Sequence, residues 1–249
     1  LDAGSNYNVF IGEGVSDASM NDSTHNVGVG YTALSALTTG DANTAVGALA
    51  GEDLNTGANN TLIGKEAGKN LTDGDENVII GDGAGQTTTG IHDAVIIGRG
   101  AAQNSNITTA ANGTVAIGYK ALEALTAGAS NTAVGYQAMS GVMGANASYN
   151  TALGYQAGKA IAGNSNGNTA VGTFSLQSAA ECDRNTAIGY GVLQSIDDGE
   201  DGNIAIGYRA GASINQSGAN ENVIIGFEAG VGGSGGAIAR CVAIGAFAM

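Results

Sequence analysis

Few side chains in this 249-residue chain are of types that do chemistry. Asp75, Glu76 and Asp93 lie about one repeat unit apart. Stacking successive units at the ~4.8 Å spacing of paired strands would bring two carboxyl groups to roughly the separation a glycoside hydrolase needs. Asp197, Asp198, Glu200 and Asp201 form a second acidic knot that offers oxygen ligands to a hard cation. Neither EF-hand spacing nor a GGxGxD repeat accompanies it. His25 and His92 each sit in a turn before a strand, with no recurring partner. The run Gly64-Lys65-Glu66-Ala67-Gly68-Lys69-Asn70 fails the phosphate-binding loop by spacing and by lacking the final Ser or Thr, and no GxSxG elbow occurs. Cys182 and Cys241 show no zinc spacing; three coils apart, at ~14 Å, they exceed the reach of a disulfide. These groups read as solvated acidic loops, loop histidines and small packed cysteines. No catalytic, cofactor-binding or metal residues are assigned, and the chain is not read as an enzyme.

What positions every one of these residues is a repeat. A tetrad of the form Asn-Thr-Ala-Val followed by glycine recurs fourteen times, with the glycines from Gly12 and Gly30 to Gly226 and Gly245 spaced by 17 to 20 residues, most often 17. A fixed period of this size implies one small supersecondary unit per repeat, stacked because no unit buries its own apolar face. The repeat runs without a linker, so residues 1–249 read as one domain, in phase from Leu1 as a fragment of a longer fibrous protein would be.

Aligned on the glycine, the residue immediately before it is always aliphatic, the one two before is small or apolar (Ala45, Ile79, Ala133, Ala187), and the one three before is Val, Thr or Ile. Side chains of a strand alternate between faces, so both faces of this strand are apolar. One face is expected to fill the coil. The other, assigned to the Ala/Ile column two before the glycine, is expected to pack against sister chains around a symmetry axis, with a homotrimer as the natural closed assembly. Asn stands four before the glycine in eleven of fourteen units, as at Asn26, Asn43, Asn60 and Asn168. It predicts a hydrogen-bonded ladder at a corner whose left-handed backbone Asn tolerates. After the glycine, the forms GYxAL and GYQAG predict a second short strand. The Thr column at Thr44, Thr61, Thr132, Thr151, Thr169 and Thr186 is expected to face inward, which argues against an ice-binding array.

Composition narrows the partners. Glycine is 43 of 249 residues with no proline and no tryptophan, so the core is thin and neither collagen-like nor disordered. A net charge of −14 with eight Lys and Arg argues against nucleic acid and anionic membrane, and no apolar run approaches a membrane span.

The segments NTAVGYQA at 131–138, NTALGYQAG at 150–158, NTAIGY at 185–190 and NIAIGYRAG at 203–211 resemble the head repeats of trimeric autotransporter adhesins and the related repeats of phage tail-fibre proteins. The resemblance spans nearly the whole chain, although autotransporter heads repeat at about fourteen residues and these units are longer. It implies a left-handed parallel β-roll, three chains wide. The expected fold is therefore all-β, a parallel β-solenoid of about fourteen coils of 17–20 residues. The expected role is a structural and adhesive fibre segment that attaches to a host-surface glycan or protein. The alternatives are an adhesin head and, in another class, a solenoid polysaccharide depolymerase. The expected location is extracellular, on a virion or bacterial surface.

Overall fold

The computed structural model describes residues 5–104, 111–141, 144, 147–161, 163–179, 181–196, 199–214, 218–231 and 239–249. These fall into two compact units, Leu1–Thr126 and Ala127–Met249. The first holds β1 (Val9–Ile11), β2 (Val27–Val29), β3 (Thr44–Val46), β4 (Thr61–Ile63), β5 (Val78–Ile80), β6 (Val95–Ile97) and β7 (Val115–Ile117). The second holds β8 (Thr132–Val134), β9 (Thr151–Leu153), β10 (Thr169–Val171), β11 (Thr186–Ile188), β12 (Ile204–Ile206), β13 (Val223–Ile225) and β14 (Val242–Ile244). Within each unit every strand pairs in parallel with the next, and the register aligns equivalent positions before the glycine: Thr44 with Thr61, Ala45 with Leu62, Val46 with Ile63. The fold is an all-β parallel solenoid of about 12 turns, with no α-helix among the described residues.

The glycine column is required twice over. Its φ lies between +121° and +145° from Gly12 to Gly245, a region that side chains avoid. A Cβ on Gly47 would also lie 2.4 Å from the carbonyl oxygen of Gly64, and one on Gly64 would lie 2.6 Å from that of Gly81. Successive coils approach backbone to backbone here, so only hydrogen fits.

The strand faces are the reverse of the sequence expectation. The column two before the glycine points into the coil, where Ala45, Leu62, Ile79, Ala133 and Ala187 are fully buried within a single chain. The residues one and three before it point out, and Ile63, Leu153 and Ile188 remain 38%, 48% and 39% exposed. Alternation defines two faces but does not say which is inside. Volume across the coil decides it. Where the inward residue is Ala133, Ala170 or Ala187, the position four past the glycine is Met139, Leu176 or Leu193; where it is Leu62 or Ile79, that position is Gly68 or Gly85. A Cβ on Gly68 would stand 3.0 Å from Leu62 and 3.3 Å from Ile79, so glycine there makes room for the larger strand side chain.

The second strand expected after the glycine is a turn instead. Left-handed residues two and four past the glycine, such as Gln137 (φ 52°) and Met139 (φ 47°), prevent an extended run. The wall is nevertheless tied coil to coil, as by Gly51 N–H to Ala67 O at 3.0 Å and Leu193 N–H to Ala210 O at 3.1 Å. A short run of small apolar residues suits either geometry, so its composition did not separate them.

Candidate functional site

The Asn ladder forms, and it is structural. Asn43 N–H and Nδ2 donate to Asn26 Oδ1 at 2.9 and 3.2 Å, while Asn43 Nδ2 also donates to Gly57 O at 2.8 Å. The same pattern repeats at Asn60, Asn77, Asn150, Asn168, Asn185 and Asn203, all buried. Each amide thereby spends its bonds on backbone groups that no strand reaches. The left-handed residue at this corner is the one before Asn, as at His25 (φ 61°), Asn59 (φ 59°) and Glu76 (φ 60°), and not Asn itself.

A second polar ladder lies two positions earlier, and sequence reading missed it. There the backbone N–H of one coil donates to the side chain of the next: Thr24 to Asp41, Ala58 to Asp75, Asp75 to His92, His92 to Asn112. In the second unit Ala129 donates to Ser148, Asn166 to Asp183, Asp183 to Asp201 and Asp201 to Asn220. The signal available was a column that accepts Asp, Asn, Ser and His interchangeably, six before the glycine. Only their shared role as acceptors links them.

This ladder disposes of most chemical candidates. Asp75 faces His92, with Oδ2 3.3 Å from Nδ1, and Glu76 and Asp93 share the neighbouring left-handed column. His92 thus has the coil-to-coil partner that the sequence did not reveal, and His25 stacks on Tyr7 at 5.1 Å. Asp197 and Asp198 lie outside the described residues; Glu200 is buried and Asp201 belongs to the acceptor ladder. Among the described residues no group of three His, Cys, Asp or Glu is placed to hold a metal ion. Both thiols are free, Cys182 buried and Cys241 exposed. Burial, helped by the nearby Asp201 carboxylate, pushes the Cys182 thiol up to about 12. It is therefore a packed neutral group and not a nucleophile.

What remains exposed is ordered in columns. The outward strand face carries Val, Ile and Leu one before the glycine, and the Thr, Val and Ile column three before it, which also faces out and not in as expected. Beside this face the two units differ. In the second, the position just past the glycine, or one further, builds a ring ladder: Tyr136, Tyr155, Phe174, Tyr190, Tyr208, Phe227 and Phe247, with successive centroids 5.1–5.7 Å apart. In the first, the same column reads Glu13, Tyr31, Ala48, Lys65, Asp82, Arg99 and Tyr119. Next to the rings runs an amide ladder in which Gln156 donates to Gln137 at 2.8 Å, Gln177 to Gln156 at 3.0 Å and Gln194 to Gln177 at 2.8 Å. Ser140, Gly141, Lys159, Ala160, Gln177 and Ser178 line a shallow open groove alongside.

No helix among the described residues is long and apolar enough to cross a membrane. Comparison with protein-family models, with curated proteins and with solved structures gives no match to this chain.

Proposed function

We propose that this chain is a structural and adhesive fibre segment: a homotrimeric, left-handed β-roll displayed outside the cell, on a virion or appendage, that attaches to a host surface. The observation that carries the reading is the outward strand face. In a single chain its Val46, Ile63, Leu153 and Ile188 are exposed, and the equivalent residues of neighbouring coils, such as Ile80 and Val171, are half-buried, in both units. Monomeric proteins rarely leave a contiguous apolar strip of this kind uncovered. Because the strip repeats with the coil within each unit, a second and third copy can cover it there, and cyclic closure leaves no open face. The sequence resemblance to adhesin heads and tail-fibre repeats supports the same assembly, and an adhesin head on a bacterial surface is the alternative within it.

With the Ala/Ile column inside the coil, the interface of the proposed assembly is the aliphatic column immediately before the glycine. Light scattering on the purified chain is expected to return the mass of three copies. Ile188→Lys, on the outward face, should yield a folded monomer, whereas its neighbour Ala187→Arg should lose the fold. A well-folded wild-type monomer at micromolar concentration would overturn the assembly.

A further inference from the structure

We infer that the second unit binds a neutral oligosaccharide chain laid along its ring and amide ladders, centred on Tyr155, Phe174, Tyr190 and Gln177. The inference rests on the proposed attachment role and names the class of surface molecule engaged.

The rings are not needed for the coil, because the first unit builds equivalent coils with Ala48, Lys65, Asp82 and Arg99 in the same column. Within the ladder, Tyr136 and Tyr155 stack with planes 10° apart, and Tyr190 and Tyr208 with planes 11° apart, so these faces cover each other. Phe174 breaks the pattern. It stands 85° to Tyr155 and 80° to Tyr190, with centroids 5.5 and 5.7 Å away. A ring crossed to both neighbours is not covered by them face to face as Tyr136 and Tyr155 cover each other. The sequence origin is local: Thr173 takes the place just past the glycine, and the aromatic residue comes one later, at a left-handed position (φ 59°).

Three residues on from Phe174, Gln177 is held at both ends, donating to Gln156, the neighbour of Tyr155, and accepting from Gln194. Each bond uses one N–H or one lone pair, so Gln156 and Gln177 each keep a second donor and a second acceptor outside the ladder, on half-buried and pre-oriented amides. An apolar ring face next to paired donors and acceptors is the chemistry that fits a pyranose, which offers C–H groups on one face and hydroxyls at its rim. The amides recur over four successive coils, at Gln137, Gln156, Gln177 and Gln194, which suits a chain and not a single sugar. The net charge of −14 disfavours an anionic glycan or an anionic lipid surface. A sister chain would leave these amide groups to be satisfied inside a dry interface, at a cost that a hydroxyl-rich ligand avoids.

The test uses the whole 249-residue chain. Saturation-transfer NMR with cellohexaose, maltohexaose and chitohexaose is expected to show transfer from aromatic protons to at least one of them. Phe174→Ala and Gln177→Ala should each weaken that binding about tenfold, with circular dichroism and light-scattering mass unchanged. Lys65→Ala, in the corresponding column of the first unit, should leave it unaltered. Absence of transfer from all three at millimolar ligand would overturn the inference, as would binding that Phe174→Ala leaves intact. Loss of the trimer mass in Phe174→Ala would assign the ladder to the contact between copies and overturn it too. If the trimer stands and no hexasaccharide binds, only this inference falls; if a monomer binds the sugar, only the proposed assembly does.

Discussion

Coils chosen from the two units solve the same packing problem from opposite walls. At β4 to β6 of the first unit bulk comes from the strand, as Leu62, Ile79 and Ile96, and the turn facing it shrinks to Gly68, Gly85 and Ala102; at β8, β10 and β11 of the second the strand supplies Ala133, Ala170 and Ala187 and the turn supplies Met139, Leu176 and Leu193, an arrangement that Ala116 and Leu122 also adopt in the first. The cross-section of the coil is constrained, and the residue that fills it is not. Outside the coil no such constraint applies, which is why the column just past the glycine is charged and mixed in one unit and aromatic in the other. In these coils a difference inside is compensated, and difference outside is available for function.

The largest effect expected is from a charge placed inside the coil. Ala187→Arg should cost more than about 4 kcal/mol, enough to remove the cooperative unfolding transition, because the guanidinium would enter a fully buried position. Calorimetry would show it. Retention of a wild-type transition would mean that this column is not interior.

Compensation across the coil can be tested by a double-mutant cycle. Leu62→Ala should lose about 2–5 kcal/mol by leaving a cavity, and Gly68→Leu should lose about 1–3 kcal/mol by overpacking against Leu62 and Ile79. Together they should be milder than their sum by about 0.5–3 kcal/mol, since the pair recreates the arrangement seen at Ala170 with Leu176 and Ala187 with Leu193. Strict additivity in urea titrations would break the comparison between the units.

Loss of a ladder amide should be smaller and equal in both units. Asn60→Ala and Asn168→Ala each strand the backbone N–H of the following Asn and should cost about 1–3 kcal/mol by thermal melting. The chain tolerates Ala94 and Thr114 at this position, where Thr114 Oγ1 bonds instead to Ala111 O at 2.7 Å. A much larger loss in one unit would show that the ladders are not equivalent.

The smallest effect is confined to alkaline pH. Because the folded Cys182 thiol titrates at about 12, above its ordinary value of 9.0, folding favours the protonated form. The stability this provides is full below the unfolded pKa and is lost as pH rises through that window. Cys182→Ala should therefore flatten the fall in stability between the two values while changing little at neutral pH. An unaltered alkaline slope would remove burial of this thiol as its cause.

Much of this was legible beforehand. The glycine period predicted one stacked unit per repeat, and the apolar columns aligned on the glycine predicted the strand before it, whose register pairs Ala45 with Leu62. The Asn column predicted a ladder because a side chain recurring at one place in every coil must meet its own copies. The acceptor ladder through Asp75, His92 and Asn112 was not legible, since its members share no residue type. Phe174 was hidden by a shift of one place.

The sequence by itself determined the strand before each glycine, the stacking of equivalent positions and the column where glycine must stand, because each follows from spacing along the chain. Only the tertiary structure decided which strand face is interior, that the wall after the glycine is a turn, and which outer columns form ladders. The physical reason is that alternation is symmetric between the two faces of a strand. The symmetry is broken only by the volume of the opposite wall, contributed by residues that meet the strand once the coil has closed.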